Sequence, residues 1–257
     1  MNNNSGSGTQ PCRGESRDIP DGLRRRVRQE CVFGCAHCGC PIIEYHHIQP
    51  FSEGRCHDFD NLVALCPTCH RRADAGGQWG VDVVREMKRH PHNQDTTRDR
   101  FLVSSADFVV HLGWIEFRNC NQLLALGDKV VLSCSRSIDG IIIVSGLFQD
   151  STGNLVATIV DNEWCVLAEK AWDVEFIVAK TLIVRTAPRE IVLRMKVTDK
   201  SLVVQQCFFR REHLEVSLRG DDENSQLDIR ATNTFFRSQN ERVIVQGPMN
   251  GPAITLV

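Results

Sequence analysis

Two short cysteine pairs, Cys35-x-x-Cys38 and Cys66-x-x-Cys69, carry the sharpest chemical signal in the sequence. A C-x-x-C segment turns back on itself and offers two thiolates to one ion, and two such knuckles complete a tetrahedral four-cysteine zinc site. Four thiolates leave no open coordination position, so a zinc held this way is structural. It would staple a lobe too small to hold itself together by apolar burial. A redox pair, or unrelated free thiols, is the competing reading. Cys31, Cys40, Cys56, His37 and His57 could compete as ligands, but none has the paired spacing.

The 27 residues between the knuckles exceed the spacing of a common zinc ribbon, so something is inserted there. Within the insert, His46 and His47 end a short apolar stretch, and Asp60-Asn61-Leu62 precedes a second one. His70 follows the last cysteine directly, where a helix should begin. One histidine alone would be a structural residue. Three of them bracketing an asparagine inside a zinc-stapled loop point to a site. Neighbours on a regular strand face opposite ways, so His46 and His47 can serve one site only where the strand ends or bends, and Pro50 fits such an ending.

The rest of the chain must position these groups. Its 257 residues allow one large domain or two small ones. The 42% apolar and 24% charged content is ordinary globular usage and excludes a fully disordered or collagen-like chain. No stretch is apolar for long enough to form a transmembrane helix, and no membrane partner is expected. The polar N-terminus lacks the apolar core of a secretory signal, so a cytoplasmic location is the expectation. Eight of the 12 cysteines lie before residue 70, which in a reducing compartment reads as metal binding. Cys120, Cys134, Cys165 and Cys207 are scattered singly through apolar segments and read as buried thiols.

The fold class expected is α+β. A small zinc-stapled lobe precedes a mainly antiparallel all-β domain, sandwich-like, with a β-solenoid as the alternative. Residues 1–18 read as a disordered N-terminal segment, 19–92 as the zinc lobe with flanking helices, 93–104 as a polar linker, and 105–257 as a β-rich interaction or regulatory domain. One helix starts near Ile19-Pro20-Asp21, and another carries Val81, Val84, Met87 and Lys88 at helical spacing. Beyond residue 101, Ile191, Leu193, Met195 and Val197 illustrate a period-two alternation broken by turn signals such as Asp139-Gly140. Net charge is −2 overall, split as +1 over residues 1–100 and −3 over the remainder.

Residues 19–77 resemble an HNH nuclease domain, the ββα-metal fold. The matching pieces are the Arg-rich helix, Cys35-x-x-Cys38-Gly39, His46-His47-Ile48-x-Pro50, Asp60-Asn61-Leu62 and Cys66-Pro67-x-Cys69-His70. The resemblance covers about a quarter of the chain and does not extend to the β-rich part. It implies a metal-dependent endonuclease that hydrolyses DNA phosphodiester bonds. His47 matches the general base and Asn61 the residue that fixes the loop aiming it. His46 and His70 match the ligands of a catalytic divalent ion, and Cys35, Cys38, Cys66 and Cys69 would hold the structural Zn²⁺. His46 stands where the family more often has an aspartate. That exchange removes a hard oxygen donor, so Mn²⁺ or Ni²⁺ should outperform Mg²⁺.

Arg25, Arg28, Arg71 and Arg72 are the candidate phosphate contacts, the last two because His70 fixes their neighbourhood. The weak positive balance of the zinc lobe implies few phosphate contacts and a shallow salt dependence. The β-rich domain, acidic on average, is not expected to lie along DNA. Self-association into a homo-oligomer, partner binding, or sensing of a protein or small-molecule activator are its expected roles, with restriction or anti-phage defence as a context. A catalytically inactive zinc module that binds nucleic acid or protein is the alternative.

Overall fold

In the computed structural model, residues 18–54, 57–74, 76–103, 105–220, 225–231, 234–239, 243–247 and 252–256 are described. The predicted disordered segment lies outside them apart from Asp18, as do Cys12 and Cys56.

The N-terminal lobe begins with α1 (Asp21–Glu30), whose entry is set by Pro20 at the N-cap and whose Val27 is buried. The hairpin β1 (Glu44–His47) and β2 (Leu62–Leu65) follows, paired antiparallel with His46 opposite Val63 and His47 opposite Leu62. Between them lie a single turn α2 (Phe51–Gly54) and a 3-10 turn over Phe59–Asn61. Helix α3 (Pro67–Ala73) starts with proline at its first position, where the missing N–H costs nothing. Helix α4 (Val81–Arg89) closes the lobe with Val84 and Lys88 turned inward. All four residues of β2 are buried, and they form the floor on which Val27 and Val84 pack. Lys88 is drawn in to donate to the carbonyls of Phe59 (3.0 Å) and Leu62 (2.8 Å) and to pair with Glu30.

The β-rich lobe contains β3 (Thr96–Arg100), β4 (Val109–Leu112), β5 (Ile115–Arg118), β6 (Gln122–Leu126), β7 (Lys129–Arg136), β8 (Ile142–Gln149), β9 (Leu155–Val160) and β10 (Glu163–Leu167). It continues with β11 (Asp173–Ile177), β12 (Thr181–Ala187), β13 (Glu190–Val197), β14 (Ser201–Arg211), β15 (Leu214–Gly220), β16 (Ser225–Ala231), β17 (Thr234–Gln239), β18 (Val243–Gln246) and β19 (Ile254–Leu256). One sheet runs β19-β6-β7-β8-β9-β10-β3 and the other β11 through β17 in chain order, with β4, β5 and β18 attached through β14. Nearly all pairings are antiparallel, and the two sheets share one core in which the buried rings of Phe148 (β8) and Phe209 (β14) meet at 5.7 Å. No helix among the described residues is long and apolar enough to cross a membrane.

The stretch whose polar composition predicts a linker holds a strand instead. Residues 96–100 form β3, the edge strand paired with β10. Thr97 is fully buried there and its hydroxyl donates to the Phe33 carbonyl (3.3 Å) across the lobe boundary. Asn93 donates to the Val32 carbonyl (3.2 Å), and its side chain fills the space beside Gly39, whose φ of +75° suits glycine and where an added Cβ would lie 2.4 Å from Asn93. The two lobes are therefore joined through backbone and side chain and not by a free tether.

Candidate metal centre and active site

The four cysteine sulfurs converge from two loops. The first knuckle is closed by amide bonds from Cys35 to the Cys40 carbonyl and from Gly39 to the Cys35 carbonyl, both 2.8 Å. The second is the N-terminus of α3, where the Cys66 sulfur accepts from the Cys69 amide (3.5 Å). A tetrahedron with Zn–S bonds of about 2.3 Å has edges of about 3.8 Å. Cys38 Sγ lies 3.7 Å from Cys66 Sγ and 3.8 Å from Cys69 Sγ, so the residues present fit a zinc ion with little adjustment. Burial and the surrounding sulfurs push the Cys38 thiol up to about 11. Cys66 is held below the ordinary thiol range: burial works against this, but the Cys69 amide and the thiols of Cys69, Cys38 and Cys35 outweigh it by donating to its sulfur. Thiols this crowded hold only some of their charge without a cation, and a divalent ion removes the conflict.

A second cluster sits on the other side of α3. His46 (β1), His70 and Asp74 bring one donor atom each within 4.8 Å of one another. Asp74 Oδ1 lies 3.7 Å from His46 Nδ1 and 3.5 Å from His70 Nε2. Donor atoms bound at about 2.0–2.2 Å to one ion stand about 3.0–3.5 Å apart, so these three side chains are of the right chemistry for a divalent cation and would draw closer together to share it. His70 Nδ1 donates to Glu44 Oε2 (2.6 Å), which fixes the tautomer and leaves the Nε2 lone pair facing Asp74. This is the carboxylate–histidine arrangement that orients metal-ligating imidazoles. Burial, and then the facing His70, push His46 down to about 4, so it is neutral and able to donate a lone pair.

The strand ends where the two histidines require it to. His47 is the last residue of β1, and Pro50 and α2 turn the chain away. His46 points inward to His70, with ring centroids 4.8 Å apart, while His47 packs on Phe51 and His57. Both nevertheless line one cleft of about 600 Å³, together with Phe51, His70, Asp74 and Trp79. His47 Nε2 is 3.1 Å from His57 Nδ1. Burial, then the neighbouring His57 and His70, lower its pKa, so the ring is neutral at neutral pH. Asn61 ties the loop that follows His47: its Oδ1 accepts from the Gln49 amide (2.7 Å) and its Nδ2 donates to the Gln49 carbonyl (3.0 Å).

Of the four arginines singled out by sequence, Arg71 and Arg72 lie exposed on α3 beside His70, with Arg72 over the Trp79 ring. The other two are turned away from the cleft. Arg28 is buried and bidentate on Asp173 of β11 (2.8 and 2.6 Å), and it donates to the Tyr45 hydroxyl (2.5 Å). Arg25 lies over the Trp172 ring at 4.1 Å. An Arg-rich helix looks the same in sequence whether its cations face phosphate or a partner sheet, and here α1 faces the sheet. Two residues of the site, Asp74 and Glu44, were not among those singled out, and His57 was named only as a rival ligand for the four-cysteine site. Asp74 carries a readable signal, the i,i+4 step from His70 on a helix. Glu44 carries another, the i,i+2 step from His46 on a strand. His57 carries none, because an irregular segment brings it to His47.

Residues 35–76 match the family model described as HNH endonuclease. Over 33 residues the chain is 54% identical to the Type IV methyl-directed restriction enzyme EcoKMcrA of Escherichia coli (strain K12), which covers 13% of this chain and 12% of that protein. Over 40 residues it is 40% identical to Anaredoxin of Nostoc sp. (strain PCC 7120 / SAG 25.82 / UTEX 2576), covering 16% of this chain and 51% of that protein. The chain thus spans about an eighth and about half of these two curated relatives. No solved structure matches it.

Proposed function

We propose that the HNH domain at residues 35–76 makes this protein a metal-dependent endonuclease that hydrolyses DNA phosphodiester bonds. The observation that carries the reading is the single cleft that gathers His47, His46, His70 and Asp74, three of them clustered as a ligand set. His47 Nε2 shares a hydrogen bond with His57 Nδ1, and in the tautomer with His57 as acceptor His47 Nδ1 is the lone-pair nitrogen. His47 takes the proton of a water as its oxygen bonds to phosphorus, and the P–O bond opposite breaks. Asn61 holds the loop that aims His47, a positioning role. His46, His70 and Asp74 would hold a divalent ion that supplies charge stabilisation to the phosphate and the departing oxygen. Two imidazole nitrogens and one carboxylate oxygen suit Mn²⁺ or Ni²⁺ better than Mg²⁺. Cys35, Cys38, Cys66 and Cys69 hold a structural Zn²⁺ apart from the chemistry. Arg71 and Arg72, exposed beside His70, are the phosphate contacts.

For the β-rich domain the reading includes self-association, partner binding or activator sensing in a restriction or defence setting. The relative whose name denotes methyl-directed restriction matches over 33 residues, 12% of its own length. The test is plasmid cleavage by the full chain with Mg²⁺, Mn²⁺ or Ni²⁺, beside His47→Ala. Metal-dependent nicking or linearisation that the variant lacks is expected. Equal cleavage by the variant, or none by folded, zinc-loaded protein, would count against the reading.

A further inference from the structure

The sheet β11–β17 buries one face in the core, and the other face is divided by charge: there Ile183, Phe208, Ser217 and Asp228 are themselves buried, Arg194, Lys196 and Gln206 are half-buried, and Arg219 is exposed. Residues opposite one another on neighbouring strands share a face. The row Glu175–Ile183–Arg194–Gln206 crosses β11 to β14, and the row Phe208–Ser217–Asp228–Arg237 crosses β14 to β17. Lys196 and Arg219 lie on the same face, two residues along from Arg194 and Ser217.

The acidic end of this face is already occupied. Asp173 and Glu175 on β11 are met by Arg28 of the zinc lobe and by Arg185. From β13 outward the balance reverses. Asp228 is held by Arg237 (2.8 Å), and Glu215 lies 4.0 Å from Arg230. Among the described residues of this part of the face, Arg194, Lys196 and Arg219 are then the cations in excess, with Arg219 adding to the field that Arg237 sets at Asp228. The Arg194 Nε is buried with no hydrogen-bond partner, an unmet donor on the cationic part of the face. Arg219 and Arg189 line one hollow of about 310 Å³ with Gln206, Ser217, Phe208 and a single acid, Glu190. The net −3 of residues 101–257 conceals this asymmetry, so average charge is a poor guide to what this face can bind.

We propose that this face of β13–β15, with the β12–β13 turn, is a binding surface for the phosphate backbone of duplex DNA. It begins beside the strands on which the nuclease lobe is docked. Arg189, Lys196 and Arg219 make phosphate contacts, and the half-buried Gln206 supplies a neutral donor between them. The surface provides the grip that the nearly neutral zinc lobe lacks. This deepens the nuclease reading but is measured separately from it.

The experiment is equilibrium binding of a fluorescein-labelled blunt duplex by the full chain in a His47→Ala background, without added divalent ion, across a salt series. Each phosphate contact contributes about 0.9 to the slope of log K against log salt. Arg189→Gln/Lys196→Gln/Arg219→Gln should therefore lower the slope by about 2–3. A Lys129→Ala/Lys170→Ala control, altering cations on other surfaces, should leave it unchanged. These glutamine variants keep side-chain length at surface positions, and a thermal melt confirms that they fold. An unchanged slope in the folded triple variant, or an equal fall in the control, overturns the proposal. Cleavage is scored on the same triple variant with His47 restored. A lowered slope without any cleavage by wild type would sink the nuclease reading and keep the surface. Metal-dependent cleavage with an unchanged slope would do the reverse.

Discussion

One seven-residue helix serves two ligand clusters that differ in almost every respect. The N-terminal turn of α3 gives Cys66 and Cys69 to the sulfur cage, and its last turn gives His70 and Asp74 to the cleft. In the cage, four soft donors surround the ion position, and three of the four residues are buried. In the cleft, two imidazoles and a half-exposed carboxylate face open space. A closed shell serves folding, whereas an open one leaves room for substrate. The pairing also shows how a short helix can be placed accurately: the sulfur cluster lies at its start, and His70 and Asp74 follow from there.

The largest break in that comparison comes from the cage. Structural zinc binding in small domains supplies about 10–16 kcal/mol of folding free energy. Cys66→Ser/Cys69→Ser should therefore lose zinc, the melting transition of the first lobe and all cleavage together. Retained cleavage would show that α3 does not depend on the cage. His47→Ala should reduce cleavage by about 10²–10⁴-fold while zinc content and melting stay as in wild type.

Arg28→Ala comes next. It leaves the Asp173 carboxylate buried without its bidentate partner, at a cost of about 3–5 kcal/mol. It also removes the donor to Tyr45, the neighbour of His46 on β1. Chemical denaturation should show the loss, and Arg28→Ala/Asp173→Leu should recover much of it. Additive losses in the double variant would show that the pair does not couple the lobes.

Glu44→Gln should raise the Mn²⁺ needed for half-maximal cleavage by about 10–100-fold and leave the zinc of the cage in place. The smallest effect is in pH. His47 has its pKa lowered by burial and by His57 and His70, and it must be neutral to accept a proton. Cleavage should fall as pH drops through that lowered value, so activity should persist below the ordinary imidazole range near 6.5. In metal-free protein, His46 titrates at about 4 when folded and near 6.5 when unfolded. The unfolded state then binds more protons between those values, so stability should rise with pH across that window. A melting temperature flat from pH 4 to 6.5 would contradict the buried, neutral His46.

The parts of this architecture governed by local chemistry were legible in the sequence. Knuckle spacing and the period of Val81, Val84 and Lys88 depend on neighbours a few residues away, and so does the helix expected to begin at His70, which in fact starts three residues earlier at Pro67. What depends on distant partners was not. Thr96–Arg100 reads as polar and exposed, yet β10 pairs with it and Thr97 is buried. Arg28 reads as a phosphate ligand until Asp173, 145 residues later, takes its guanidinium. The cationic face of β13–β15 appears only once strand register sorts side chains by side, because a count over the lobe sums both faces.

The two clusters should hold their ions differently, one permanently and one in exchange. The most direct measurement is zinc content together with plasmid cleavage, after dialysis against a weak chelator and then on adding Mn²⁺. One zinc per chain should be retained, with no cleavage in that state, and Mn²⁺ should restore cleavage without displacing the zinc. Cleavage by the dialysed, zinc-only protein, or loss of the zinc without loss of fold, would contradict it.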